Sequence, residues 1–243
     1  MRIVGKTDIG VVRHQNQDAY SAGELPGGVA WAVVCDGMGG ANGGDIASTT
    51  AVKVISSRIS KAFRGGMSAS SIHAMLESAI NAANISVYDM SQEDETLAGM
   101  GSTVVACVIV DGVAHIAHAG DSRAYIFSTE RIEQITRDHT YVQRLIEDGT
   151  LTSEQAKTYP HRHVITRALG VNERLAVDYT DVELTADDAI LLCTDGLSGT
   201  LEDSDMLKIF SECTFYEYPD RLVSAANSRG GNDNITVVIM SLL

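Results

Sequence analysis

The chain has 243 residues, 44% of them hydrophobic, and a formal net charge of −14 that no stripe of Lys or Arg offsets. Such a charge repels a nucleic-acid backbone or an anionic membrane, and no apolar run approaches the roughly 18 residues of a membrane span, so neither partner is expected. With no linker-like tract, no signal-peptide core and four cysteines (Cys35, Cys107, Cys193, Cys213) that never form a C-x-x-C pair, the sequence reads as one large domain over 1–243 in a reducing cytoplasm. The cysteines are then small buried hydrophobes.

In chain order, Arg2 to Gly10 reads as a strand and turn, followed by the polar loop VVRHQNQDAY, which carries Arg13 and Asp18. Val29 to Cys35 is apolar and β-branched enough for a strand covered on both faces, and it delivers Asp36 to its C-terminal end. Gly37, Gly39, Gly40, Gly43 and Gly44 let the backbone approach a bound ion or anion closely. From Asp45 onward Ile46, Thr50, Val54, Ile55 and Ile59 recur at helical spacing, so the glycines abut a helix N-terminus. Two familiar loops fail on spacing: Asn42 stands where a dinucleotide fingerprint needs its third glycine, and no Gly-Lys-Ser/Thr follows for a P-loop.

After the break at Gly65-Gly66, the positions Ile72, Met75, Leu76, Ala79, Ile80, Ala83 and Val87 mark a second amphipathic helix that fades into Glu93-Asp94-Glu95. Ser102 to Val110 and Val113 to Ala119 are strands joined by an Asp111-Gly112 hairpin, and Arg123 to Phe127 follows the turn Gly120-Asp121-Ser122, which reads as a continuing antiparallel meander. Val142 to Ile146 suggests a helix, and the polar stretch on to His163 a surface subdomain over about 141–165. Leu175 to Leu184 and Ala189 to Cys193 are strands, Asp203 to Phe210 and Asp220 to Asn227 helices, and Asn234 to Leu243 a last strand. Meanders with blocks of helices predict an α+β fold of antiparallel sheets covered by helices.

The chemistry lies in a repeated local pattern, an apolar strand running into or out of an Asp beside Gly or Asn. VAWAVVCDG carries Asp36, AILLCTDG carries Asp195, RGGNDNITVVIM carries Asp233, and AHIAHAGDSRAYI adds Asp121. A single such Asp is a turn former. If Asp36, Asp195 and Asp233 converge, each carboxylate pair at about 5 Å repels by ~3 kcal/mol at an effective dielectric near ~20, and cations are required. Oxygen-only donors select hard ions such as Mg²⁺ or Mn²⁺, and two such ions roughly 3.5 to 4 Å apart would activate a bridging water for in-line attack on a phosphate.

RHQNQD, CDGMGG, GST at 101–103, GDSR at 120–123, DHT at 138–140, ITRALG, TDGL and GGNDNITV stand in the order and spacing of the metal-dependent serine/threonine protein phosphatases of the type 2C family, and the chain most resembles the compact bacterial members. The resemblance spans essentially the whole chain. It implies a β-sandwich of two antiparallel sheets flanked by α-helices, and hydrolysis of phosphoserine or phosphothreonine in proteins by a metal-bridging water, without a covalent intermediate. It further implies that Asp36 bridges two Mn²⁺ or Mg²⁺ ions and that the Gly37 carbonyl binds one of them. Asp195 and Asp233 would hold the second, Asp18 would act through water, and Arg13 would grip the phosphate, whose oxygens a guanidinium fork matches. Asp121 resembles the acid that shares a third, weaker ion with Asp195. Phosphorylated proteins are the implied substrates, a bacterial Ser/Thr kinase acting on the same proteins the implied counterpart, and a monomer the expected state.

Met38 departs from the eukaryotic pattern, in which a histidine proposed as general acid stands at this position; bacterial relatives share the departure. A catalytically silent phosphoprotein-binding domain on the same fold would show loss of a metal acid, and Asp36, Asp195 and Asp233 are all present. His115 and His118 occupy opposite faces of their strand and read as packed or surface residues, not ligands. His161-Arg162-His163 lacks a partner Cys or His for a zinc site and reads as a solvent-facing loop beside the substrate.

Overall fold

The computed structural model describes residues 1–242, apart from the side chains of residues 40–42. The apolar runs become strands β1 (Arg2–Asp8), β2 (Asp18–Leu25), β3 (Val29–Met38), β4 (Gly101–Ser102), β5 (Val104–Val110), β6 (Val113–Ala119), β7 (Arg123–Phe127), β8 (Ile132–Gln134), β9 (Asp178–Glu183), β10 (Ala189–Cys193) and β11 (Ile235–Ser241). Helices α1 (Gly40–Ala62) and α2 (Ala69–Glu93) follow β3. Helices α3 (Tyr141–Glu147) and α4 (Ser153–Lys157) follow β8, and α5 (Asp195–Ser198), α6 (Asp203–Glu212) and α7 (Tyr218–Ser228) lie between β10 and β11.

Every pairing is antiparallel. One sheet has the order β1-β11-β10-β7-β8, the other β2-β3-β5-β6-β9, with β4 extending the edge of β3. The two sheets pack face to face: Ala30, Ala32 and Val34 of β3 and Val105, Cys107 and Ile109 of β5 share one buried cluster with Ile126, Ile190, Leu192 and Val238. Because side chains alternate along a strand, the intervening residues Trp31, Val33 and Cys35 face the other way and pack beneath α1 and α2. On the far side Leu191, Ile235, Val237 and Ile239 pack beneath Met206, Phe210, Leu222 and Val223 of α6 and α7. Helices therefore cover both outer faces of the sandwich, which is why β10, β3 as far as Cys35 and most of β11 are apolar on both faces. Each large side chain so buried contributes about 1.5–3 kcal/mol.

Helix α2 buries all seven positions picked by periodicity and starts at Ser68, whose hydroxyl accepts from the Ser71 N–H. The Asp111-Gly112 hairpin forms with both residues at positive φ, 50° and 77°, as a two-residue turn of the primed type requires. Cys35, Cys107 and Cys193 are buried free thiols, and Cys213 is half-buried.

The meander reading fails at one point. β7 does not pair with β6; it joins the other sheet between β10 and β8. Gly120-Asp121-Ser122 is therefore a crossing between the two sheets, and Gly120 takes a φ of 115° there, where a β-carbon would collide with Thr103. The strand read over Ser102 to Val110 breaks at Thr103, whose N–H donates to the Asp36 carbonyl at 2.9 Å. β2, β8 and α5 carry too few β-branched or periodic apolar residues to be expected from sequence. The first helix begins at Gly40, five residues before Asp45, so Gly43 and Gly44 lie inside it. There they serve close packing: a β-carbon on Gly37 would overlap the Gly44 carbonyl, and one on Gly44 would press into the Gln17 side chain. The last strand ends at Ser241, and Leu243 lies outside the described residues. Among the described residues, no helix is long and apolar enough to cross a membrane.

Candidate active site

The acids gather at one end of the sandwich, where strands of both sheets finish. β2 and β3 pair so that Asp18 lies directly opposite Asp36. Asp195 is the first residue of α5, immediately after β10, and Asp233 precedes β11, the neighbour of β10. Asp121 sits in the crossing between sheets. Asp36 is thus inside a strand, near its end, because β4 extends the pairing to Gly37↔Ser102 and Met38↔Gly101.

Hydroxyls and amides fix these positions. Asp18 Oδ2 accepts from Thr194 Oγ1 at 2.9 Å and Thr236 Oγ1 at 2.7 Å. The Asp36 N–H donates to Thr103 Oγ1 at 2.9 Å, the Asp36 carbonyl accepts from Ser102 Oγ at 3.0 Å, and Thr103 and Ser122 share a hydroxyl contact of 2.6 Å. The buried Asn234 side chain gathers the loop before β2: its amide nitrogen donates to the carbonyls of Ile9 and Gln15, and its oxygen accepts from the Gln17 N–H. That loop carries Arg13, whose NH2 donates to Asp233 Oδ2 at 2.7 Å. The Arg13 side chain is half-exposed, and Asp233 is its one partner among the described residues.

The electrostatics record the crowding. Asp36 is held well above the ordinary carboxylate range by burial first, then by Asp18, Asp195, Asp121 and Asp233. Burial, followed by Asp233, raises Asp195, although its contact with the Asp36 carboxyl and the nearby His163 and Arg13 work the other way. Asp121 is raised by burial, then by Asp195 and Asp138. Asp18 is raised by burial against the lowering effect of its two threonine hydroxyls. Arg13 is raised by its hydrogen bond to Asp233.

Two oxygens decide what the cluster lacks. Asp18 Oδ1 and Asp195 Oδ1 are buried and have no hydrogen-bond partner, a cost normally avoided in folded proteins. Divalent cations suit such a set, and its oxygen-only chemistry fits hard ions. The carboxylates do not close into a single tight donor cluster; the described residues that do are two His/His/Asp sets elsewhere. A centre of hard ions that keep several waters needs few protein ligands per ion, so the looser spacing is consistent with the donor chemistry.

The profile of the family described as Protein phosphatase 2C matches residues 11–236. The chain belongs to that family. A Ser/Thr phosphatase stp of Listeria monocytogenes is 35% identical over 236 residues, covering 97% of this chain and 93% of that protein. The protein phosphatase PhpP of Streptococcus pneumoniae is 32% identical, covering 100% of this chain and 98% of the relative. Among solved structures, the Streptococcus agalactiae serine/threonine phosphatase superposes with a TM-score of 0.92 at 33% identity, with 98% of each chain covered. The catalytic domain of the phosphatase PstP in complex with two manganese ions superposes with a TM-score of 0.85 at 33% identity, covering 98% of this chain and 96% of that one. The chain is a Ser/Thr protein phosphatase that acts on phosphorylated proteins, and its sandwich is the family's fold.

Within that fold, Asp36, Asp18, Asp121, Asp195 and Asp233 share one end of the molecule and Arg13 joins them through Asp233. The sequence reading does not find Thr194 and Thr236, although both lie beside acids in TDGL and GGNDNITV; the bond of a hydroxyl to an acid about 200 positions away leaves no local signature. His161, Arg162 and His163 are exposed as expected, and His163 reaches close enough to affect Asp195. Met38 lies beside Gly101 and offers no proton.

Proposed function

We propose that this phosphatase hydrolyses phosphoserine and phosphothreonine esters with two Mn²⁺ or Mg²⁺ ions held by Asp36, the Gly37 carbonyl, Asp195 and Asp233. Asp36 would serve both ions: it is buried, it lies opposite Asp18 across the strand pair, and Asp18, Asp195, Asp121 and Asp233 all act on its carboxyl. When bound, the ions supply a water acidic enough to lose a proton near neutral pH and neutralise charge on the phosphate.

The chain's own residues do the rest. Asp18, anchored by Thr194 and Thr236 through one oxygen, keeps its other, buried oxygen without a protein partner, and that oxygen would orient water. Arg13 is held by Asp233 through one nitrogen, which leaves its other donors to take phosphate oxygens. Asp121, on which Asp195 acts, would with Asp195 hold a weaker third ion, which would supply an acidic water near the leaving alcohol where Met38 has no proton to give. Residues 141–165 form a flap beside the centre that selects the protein substrate. The enzyme acts as a cytoplasmic monomer opposite a bacterial Ser/Thr kinase.

The observation that carries this reading is the pair of buried, partnerless oxygens Asp18 Oδ1 and Asp195 Oδ1 in a cluster of acids. Removing divalent ions with a chelator and restoring Mn²⁺ tests it: hydrolysis of a phosphothreonine peptide should vanish and return. Undiminished hydrolysis in the metal-free protein refutes it.

A further inference from the structure

Away from the acid centre, two clusters each bring two imidazoles and a carboxylate together, with donor atoms within 4.8 Å of one another. In the first, His115 Nδ1 (β6) and His73 Nε2 (α2) lie 2.8 and 2.7 Å from the same atom, Oδ1 of Asp181 (β9). In the second, His118, His139 and Asp178, protein groups already use the donors. Arg167 NH1 lies 2.7 Å from Asp178 Oδ1 and 3.1 Å from His139 Nε2. The Arg137 carbonyl takes His118 Nε2 at 2.9 Å, and the Gly120 N–H donates to His139 Nδ1 at 3.1 Å. A guanidinium already supplies the cation there, so that cluster is an ion-pair network. No Lys or Arg among the described residues pairs with Asp181.

We propose that His73, His115 and Asp181 form a separate metal site for a zinc-class ion, which fastens α2 to β6 and β9. Nothing in this depends on the ions of the acid centre. His115 lies four strand positions before Ala119, about 13 Å of strand from the crossing that carries Asp121.

Four observations support the assignment. The donor set, two imidazoles and one carboxylate, favours Zn²⁺ and its neighbours over the hard Mg²⁺ or Mn²⁺ that an all-oxygen site takes. The spacing is nearly right: zinc bonds of ~2.0–2.1 Å at tetrahedral angles place ligand atoms ~3.3 Å apart, so each imidazole need withdraw from Asp181 Oδ1 by only about 0.5 Å. Secondary structure fixes the ligands, with His115 and Asp181 directly paired across β6 and β9. The His73 ring is held between Tyr179, stacked at 5.5 Å, and the edge of His115 at 5.7 Å. Finally, His115 is buried while His73 and Asp181 are about one-third exposed at 33% and 35%, so an ion can enter and a water can complete its shell. The sequence reading of His115 as a packed or surface residue leaves out the two partners of this buried side chain, which lie 42 positions before it in the chain and 66 after it.

The test uses untagged protein, stripped with chelator and then given excess Mg²⁺ to fill the acid centre. Titration with Co²⁺, the spectroscopic stand-in for Zn²⁺, should show one more bound ion in the wild type than in His73→Ala, with the strong visible bands of a four- or five-coordinate site. Zn²⁺ should raise the melting temperature of the wild type and leave that of His73→Ala and Asp181→Asn unmoved. Both variants should keep Mn²⁺-dependent hydrolysis of a small aryl phosphate, which shows them folded. Equal ion counts in wild type and His73→Ala overturn the proposal. So do only weak, octahedral Co²⁺ bands from the unmodified protein, a result that requires no variant to fold.

Discussion

The substitution Asp18→Asn should make the metal-free protein more stable and the enzyme less active. The Asp18 residue is only 8% exposed, and its Oδ2 is satisfied by Thr194 and Thr236 while Oδ1 has no partner. An amide keeps the shape: its oxygen can accept both hydroxyls, and its NH₂ replaces the partnerless Oδ1, where nearby carboxylates can accept from it. Relieving one unsatisfied buried acceptor is worth about 1–3 kcal/mol, or roughly 2–12 °C in melting temperature for a chain of this length. Burial above all pushes the Asp18 carboxyl up to about 7. A folded-state pKa above the unfolded value of about 3.9 means that the native state binds more protons, so stability falls as pH rises from there through the folded value. In chelator, the gain from the amide should therefore be largest at pH 8 and shrink at pH 5. Thermal melts followed by circular dichroism at the two pH values, with and without Mn²⁺, measure this, beside steady-state kinetics at limiting Mn²⁺. An Asp18→Asn variant that melts below wild type in chelator at pH 8, or that turns over normally at limiting Mn²⁺, refutes the reasoning.

Three further perturbations separate the roles at the site. Arg13→Ala should raise KM, with a loss in kcat/KM of ~1.5–3 kcal/mol, or roughly 10- to 150-fold; unchanged kinetics would make Arg13 a surface partner of Asp233 only. Asp121→Asn should preserve the crossing between sheets, because Asn makes the same local hydrogen bonds, and should keep two tightly bound ions while losing most turnover. Calorimetric metal titration beside kinetics decides it, and near-normal turnover with the ion count intact contradicts the outer-ion role. His161→Ala and Arg162→Ala, both at exposed positions, should change rates on phosphopeptides and leave a small aryl phosphate nearly untouched. Equal losses on both substrates would place them in the chemistry.

The parts of the fold that can be read from the sequence are those whose signal is local. The run at β3 is apolar because both its faces are covered, the periodic residues of α2 are all buried, and Asp111-Gly112 supplies its own turn geometry. β2 escapes such a reading because DAYSAGEL is made largely of small and polar residues, and its pairing with β3 gives it order. The direction taken after Gly120 is also hidden. A Gly-Asp-Ser turn can close a hairpin or cross to another sheet, and the choice follows from β7 fitting between β10 and β8. At the site, the acids stand out by their place at strand ends and by the family resemblance. Their supports, Thr194, Thr236 and Asn234, act through contacts that span much of the chain, as do the ligands of the His73 cluster. Such pairs become visible only when the sheets are assembled.

The most direct test of the central claim is the Mn²⁺ dependence of aryl phosphate hydrolysis in Asp36→Asn beside wild type, with bound manganese counted in both and folding verified by circular dichroism. The amide keeps the shape of the side chain and removes the charge of the proposed shared ligand. The variant should fold, lose at least one bound ion and lose essentially all turnover at any Mn²⁺ concentration. A folded Asp36→Asn protein that hydrolyses the substrate at close to the wild-type rate would contradict it.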